Sequence, residues 1–202
     1  MIFSSSTAST RPAVPKDRRR AILDAALMEF NERGIPGTSI GDIRRRSGAS
    51  VGSIYHHFEG GKEEIAELLY LEGLRDYQDE FVEALEQAAT TQDGVIAGVR
   101  HHLRWIQDNP EIARFLTFSG AAPGSALEDL NRRFLKAVGK WMQPAVECGE
   151  LLALEPEVLA ALWVGPAQEL ARFWLAGRTK RSLDDAADVL ARAAWRSLSQ
   201  ET

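Results

Sequence analysis

The sequence predicts an all-α protein of about nine helices, and three observations predict it. Apolar residues recur at i, i+4 and i+7 almost throughout from Asp17 onward. Runs of alternating β-branched residues, the mark of strands, are missing. Ser, Thr, Asn, Pro and Gly fall where helix ends need caps and stops. The chain has 202 residues, 45% of them apolar, enough for a sizeable core in one or two domains.

Residues 1–15 (MIFSSSTASTRPAVP) are rich in Ser and Thr with few bulky apolar residues, and composition predicts a disordered tail. Leu23, Leu27 and Phe30 then define a first helix, with Gly34 placed to end it. Thr38 or Ser39 can cap a short second helix carrying Ile40 and Ile43, which Gly48 ends. Ser50 can cap a third, carrying Ile54 and Phe58. A long helix follows Gly60-Gly61, with Ile65, Leu68, Leu69, Leu74, Tyr77, Phe81 and Leu85. Val95, Val99, Leu103 and Ile106 form the next stripe, and Asn109-Pro110 reads as a cap with proline at the first helical position. Leu127, Leu130, Phe134, Val138, Trp141 and Ala145 make another. Leu159, Leu162, Trp163, Leu170, Phe173 and Trp174 make one more, with Pro166 predicted to kink it and Gly177 to end it. Ser182 opens the last helix, with Leu183, Ala187, Leu190, Ala194 and Leu198.

Composition narrows the function. Net charge is −5, so the chain as a whole is no general polyanion binder. The charge is uneven: residues 1–58 hold nine Lys/Arg against five Asp/Glu, a net of +4, whereas residues 59–202 carry −9. A basic amino-terminal segment on an acidic body suggests that one end meets an anion. A single cysteine, Cys148, excludes an internal disulfide framework and suits a reducing compartment. The charge-free run from Phe115 to Leu127 is too short to span a bilayer, and no secretory signal is read at the amino terminus, so a cytoplasmic protein is expected. No phosphate loop, nucleophile elbow or paired titratable constellation appears, so catalysis and a cofactor are not expected. His56-His57 and His101-His102 are neighbours that point apart on a helix, so no metal site is expected. For His101-His102, lining of a ligand pocket and plain solvation both stand open.

Ile40 to Phe58 (IGDIRRRSGASVGSIYHHF) carries the recognition signal. Two short helices around Ser47-Gly48-Ala49 match a helix-turn-helix, whose second helix enters the DNA major groove. Ile40, Ile43, Ile54 and Phe58 supply the buried face. Ser50, Val51, Gly52 and Ser53 form a first turn small enough for close approach to a duplex, and Tyr55 and His56 can reach phosphates or base edges.

The stretch from Arg18 to Leu69 resembles the DNA-binding domain of the tetracycline-repressor (TetR) family. The shared residues are Thr38-Ser39-Ile40, Asp42-Ile43, the run Ser47-Gly48-Ala49-Ser50, then Gly52-Ser53-Ile54-Tyr55-His56-His57-Phe58, and Lys62-Glu63. The sequence departs from the family at Gly41, at Arg44-Arg45-Arg46, and in a turn before Lys62 that is one residue longer. The resemblance implies a homodimeric transcription factor, usually a repressor, with residues 16–62 on DNA and residues 63–202 dimerising and binding a small effector. It places Val51, Gly52, Ser53 and His56 at base edges and Tyr55, Thr38 or Ser39, and Lys62 on phosphates, with Ser50 at the helix start. Arg45 and its neighbours Arg44 and Arg46, like Arg18 to Arg20, are candidate phosphate contacts.

In the carboxy-terminal part, Trp105, Phe115, Phe118, Phe134, Trp141 and Trp163 are many large aromatics for a helical domain. They are expected in the core, or lining a pocket for an apolar or aromatic effector. Dimerisation is expected through the last two long helices, 156–176 and 182–198. The rival reading is a helical carrier of apolar ligands that does not bind DNA, favoured by the scarcity of side-chain donors at Val51 and Gly52.

Overall fold

The computed structural model describes residues 18–121 and 124–200, and among these it contains ten helices and no strand. The tail expected over residues 1–15 lies outside the described residues. Helix α1 (Arg18–Gly37) is interrupted at Gly34, whose φ of +73° is the left-handed geometry that stops a helix. Ser39 caps α2 (Ile40–Ser47) in a reciprocal capping box with Asp42, and Gly48 ends it at φ +70°. Ser50 caps α3 (Val51–His57) by accepting a hydrogen bond from the Ser53 N–H at 3.1 Å. Then come α4 (Gly61–Glu86), α5 (Thr91–Asp108), α6 (Pro110–Phe118) and α7 (Gly124–Glu147).

The stripe from Leu159 to Trp174 forms two helices, α8 (Pro156–Trp163) and α9 (Gly165–Leu175), where one kinked helix was expected. The reason is local. Pro166 sits in the first turn of α9, where its missing N–H costs nothing, so the chain restarts there instead of bending through. Helix α10 (Asp184–Leu198) closes the fold, packed along α5.

Two apolar cores result. The first joins Ile22, Leu23, Phe30, Ile43, Ile54 and Phe58 with Ile65, Ala66 and Leu69 of α4 and Phe115 of α6. The second is built from Phe81 onward by α4 to α10, with Ala113 as the buried contribution of α6. The first core therefore runs past Lys62 into α4, and the change from one core to the other falls between Leu69 and Phe81 of one continuous helix. Ile112 of α6 packs against both. Gly73 lets α6 come that close to α4, since a Cβ there would lie 2.5 Å from Ile112 Cγ1.

Candidate nucleic-acid interface and ligand cavity

Helix α3 has two unlike faces. Ile54 and Phe58 are fully buried, whereas Val51 and Tyr55 are 45% and 46% exposed, and Gly52 and His56 are also exposed. Residues 51, 52, 55 and 56 share one side at helical spacing, so the structure brings them together on an outward surface. Tyr55 belongs to that surface and not to the core. Its ring leans over the start of α4, where the Cβ position of Gly61 lies 3.6 Å from Tyr55 Cε1. Ser50 and Ser39 are exposed beside this face, and Ser53 is half-buried. Thr38 points the other way. It is 2% exposed, with its hydroxyl against the carbonyls of Gly34 (2.9 Å) and Glu29 (3.2 Å).

The three consecutive arginines divide their roles. Arg46 ties α2 to α1, its Nε donating to Glu29 Oε1 at 2.8 Å and its Nη2 to Glu32 at 2.7 Å. Arg33 lies 3.2 Å from the other oxygen of the buried Glu29. Arg45 pairs with Asp42 while leaving most of its side chain exposed, and Arg44 is exposed. The Ser39 hydroxyl and backbone N–H, aided by Arg45 and Arg33, hold the Asp42 carboxyl below the ordinary carboxylate range against partial burial. Arg46 thus works as a brace between helices, where a phosphate contact was a candidate.

Lys62 differs from the expectation in the same way. Its Nζ donates to the carbonyls of Thr38 (2.8 Å), Ile35 (2.9 Å) and, more loosely, Pro36 (3.4 Å). An ammonium has three protons, so a phosphate would have to displace a carbonyl. Lys62 latches the start of α4 to the α1–α2 turn, next to the cap of α2. Lys62→Met is therefore expected to lower stability by about 1–2 kcal/mol and to weaken all DNA sequences about equally. Urea unfolding that matched the parent would show the latch to be idle.

In the second half, two clefts share Tyr77, His102 and Gln168 in their walls. The outer, about 450 Å³, lies between α4, α7, α8 and α9 and includes Phe81, Phe134 and Trp163. The inner, about 180 Å³, lies between α4, α5 and α6 and includes Trp105, Ala113 and Leu116. No Asp, Glu, Lys or Arg lines either. His102 is 5% exposed. Its Nδ1 is 2.8 Å from the Tyr77 hydroxyl, and its Nε2 has no hydrogen-bond partner, Gln168 approaching without reaching hydrogen-bond geometry. Burial, with His101 adding repulsion, pushes its pKa down to about 4, so it is neutral near pH 7.

Of the six aromatics expected at a pocket, Trp105, Phe134 and Trp163 line these clefts. The other three do not. Phe115 is buried in the first core, stacked on Phe30 at 5.8 Å. Phe118 is 46% exposed on a separate groove near Asn31 and Arg114. Trp141 stacks on the far side of Trp163 at 6.0 Å, over Gly94. Spacing assigns an aromatic to a helix face but not to one of two cores. Sequence reasoning missed Tyr77 and Gln168; the signal for Gln168 was a polar residue interrupting the apolar stripe between Trp163 and Leu170. Among the described residues no cluster of three metal-ligating side chains occurs, and no helix is long and apolar enough to cross a membrane.

Residues 22–69 match the model of the bacterial regulatory proteins, tetR family. The HTH-type transcriptional regulator BetI of Rhizobium meliloti is 33% identical over 109 residues, which are 54% of this chain and 53% of that protein. The chain thus spans about half the length of that curated relative. The fold of the whole is shared with a TetR family transcription regulator from Marinobacter aquaeolei VT8, with a TM-score of 0.78 and 18% identity, covering 91% of this chain and 96% of that one. It is shared too with the transcriptional regulator FadR from Bacillus subtilis in complex with stearoyl-CoA, with a TM-score of 0.73 and 17% identity, covering 87% and 96%.

Proposed function

We propose that this chain, a member of the tetR family of bacterial regulatory proteins through its amino-terminal domain, is a homodimeric, ligand-responsive, DNA-binding transcriptional regulator of the cytoplasm. It acts as a repressor that a small apolar effector releases from an inverted-repeat operator. One observation carries the reading: α3 buries Ile54 and Phe58 and turns Val51, Gly52, Tyr55 and His56 outward together, on a helix-turn-helix whose caps and turn are intact. A carrier with no use for DNA has no need of such a face.

In this reading α3 enters the major groove. Val51, Gly52, Ser53 and His56 meet base edges, while Tyr55, Ser39 and Arg45 meet phosphates. Few donors at Val51 and Gly52 favour apolar contacts, such as the thymine methyl, together with the shape of the duplex. The test is a gel shift or fluorescence anisotropy with DNA from around the protein's own gene. Specific binding to two half-sites about one helical turn (~34–36 Å) apart or more is expected, with affinity falling steeply as salt rises. Equal affinity for scrambled duplexes would end the proposal.

Dimerisation through α8 to α10 is part of the same reading, and the residues of α10 are not equally available to it. Ala194 is 3% exposed and packs with Ala187, Ala191 and Leu198 in the second core, so it lies inside the subunit. Leu190 is half-buried on the flank of α10, between Ala186 and Ala193, and suits a contact between chains. Leu190→Arg is expected to yield monomers by light scattering with the fold retained, because an unpaired charge in an apolar seam costs several kcal/mol. An unchanged dimer would move the interface elsewhere.

A further inference from the structure

We propose, building on the reading of the two clefts as the effector site, that they take an uncharged, mostly hydrocarbon molecule with an internal carbonyl oxygen, which accepts a hydrogen bond from the Nε2–H of His102. Buried polar groups are almost always hydrogen-bonded. His102 Nε2 is not, and His102 lines both clefts. His102 Nε2 is closed off from solvent beside Gln168, in a ring that lines both clefts, so a ligand oxygen reaches it by taking the place of the Gln168 side chain.

The tautomer follows from Tyr77. Its hydroxyl proton has one acceptor among the described residues, His102 Nδ1 at 2.8 Å. Were the proton on Nδ1, the Tyr77 hydroxyl hydrogen would be stranded. The arrangement that satisfies both groups makes Nδ1 the acceptor and puts the imidazole proton on Nε2. Burial keeps the ring neutral at ordinary pH, so the Nε2–H is a donor without net charge. A ligand oxygen completes the chain from Tyr77 through His102.

The rest of the molecule is set by the walls. No charged side chain lines either cleft, so a carboxylate or an ammonium beside His102 would lose water and find no countercharge there. Apolar surface extends to both sides of His102, toward Phe81, Phe134 and Trp163 in the outer cleft and toward Leu74, Ile106 and Leu116 in the inner. A ligand occupying both places its oxygen in the middle of the hydrocarbon, as an internal ketone or ester does and a free acid does not. Gln168, lining both clefts beside His102, can offer its amide to the same oxygen.

The experiment uses the full chain without DNA and three probes of equal carbon number: 6-undecanone, undecane and undecanoate. Binding is followed by the fluorescence of the cleft tryptophans at pH 7. The ketone is expected to bind at least tenfold more tightly than the alkane, and undecanoate more weakly than the ketone. His102→Phe should abolish the preference for the ketone while keeping the alkane affinity. A carbon-13 label at the ketone carbonyl should shift downfield on binding to the unaltered protein, a signature that stands even where the variant fails to fold. No saturable binding of the ketone, a ketone no tighter than the alkane, an acid tighter than both, a preference surviving in His102→Phe, or an unshifted carbonyl would each overturn the proposal. Because DNA is absent, the outcome is separable from the regulator reading. A ketone that binds through His102 but never releases the operator would sink that reading alone. Release by charged compounds only would sink the ligand chemistry alone.

Discussion

Val51→Glu is expected to lower operator affinity by ~100-fold or more with little change in stability. Val51 opens α3 and is 45% exposed, so nothing in the core depends on its side chain. A glutamate in a first helical turn interacts favourably with the helix dipole and leaves the Ser50 cap untouched. Surface changes of this kind stay within about 0.5 kcal/mol. Against DNA the same carboxylate faces a groove walled by phosphates. Like charges brought together across an interface cost several kcal/mol, and about 3 kcal/mol is roughly 100-fold. Anisotropy at low and moderate salt, beside a thermal melt, separates the two effects. Unaltered affinity would mean that the DNA lies on some other surface.

Most of the helices were legible because their ends carry their own chemistry, whereas α8 and α9 read as one and α10 starts at Asp184 without a capping side chain. Ser39, Ser50 and Asn109-Pro110 stand at helix starts, and Gly34, Gly48 and Gly177 take positive φ where helices stop. The outward face of α3 was legible for the same reason, since small and polar residues there alternate with Ile54 and Phe58 at a spacing that fixes their sides. What spacing does not encode is the partner. Arg46 and Lys62 read as cations available to phosphate because their partners, Glu29 and Glu32 for one and the Ile35 and Thr38 carbonyls for the other, are brought close only by the fold. The same limit hid the clefts. They exist because Tyr77, His102 and Gln168, from three helices, converge between walls that each read as ordinary core.

Phe115 is expected to be the residue through which the half that holds the clefts reaches the helix-turn-helix, if the proposed function holds. Three of its neighbours on α6, Ala113, Leu116 and Thr117, line the inner cleft, yet Phe115 itself is 1% exposed in the first core, its ring stacked on Phe30 of α1. Ile112, one turn earlier, is clamped against the bare backbone of Gly73 in α4. Helix α6 therefore cannot yield to a ligand in the inner cleft without displacing α1 or α4, both of which hold α2 and α3 in place. Phe115→Ala should cost about 3–5 kcal/mol, as removal of a buried aromatic does, and will report on stability more than on signalling. Phe115→Leu is the informative variant. It keeps an apolar side chain, costs about 1–2 kcal/mol, and gives up the stacked ring that transmits a push. An effector changes operator affinity only by its differential affinity for the two arrangements, typically ~1–3 kcal/mol or roughly 5–150-fold. In Phe115→Leu that ratio should fall toward unity, while direct binding of the releasing compound changes by less than about threefold, since the residue does not line the clefts. The two quantities are read on one preparation, by calorimetry for the compound and anisotropy for the operator. A variant that loses stability yet releases DNA as fully as the parent would assign the coupling to α4 alone and leave Phe115 a packing residue.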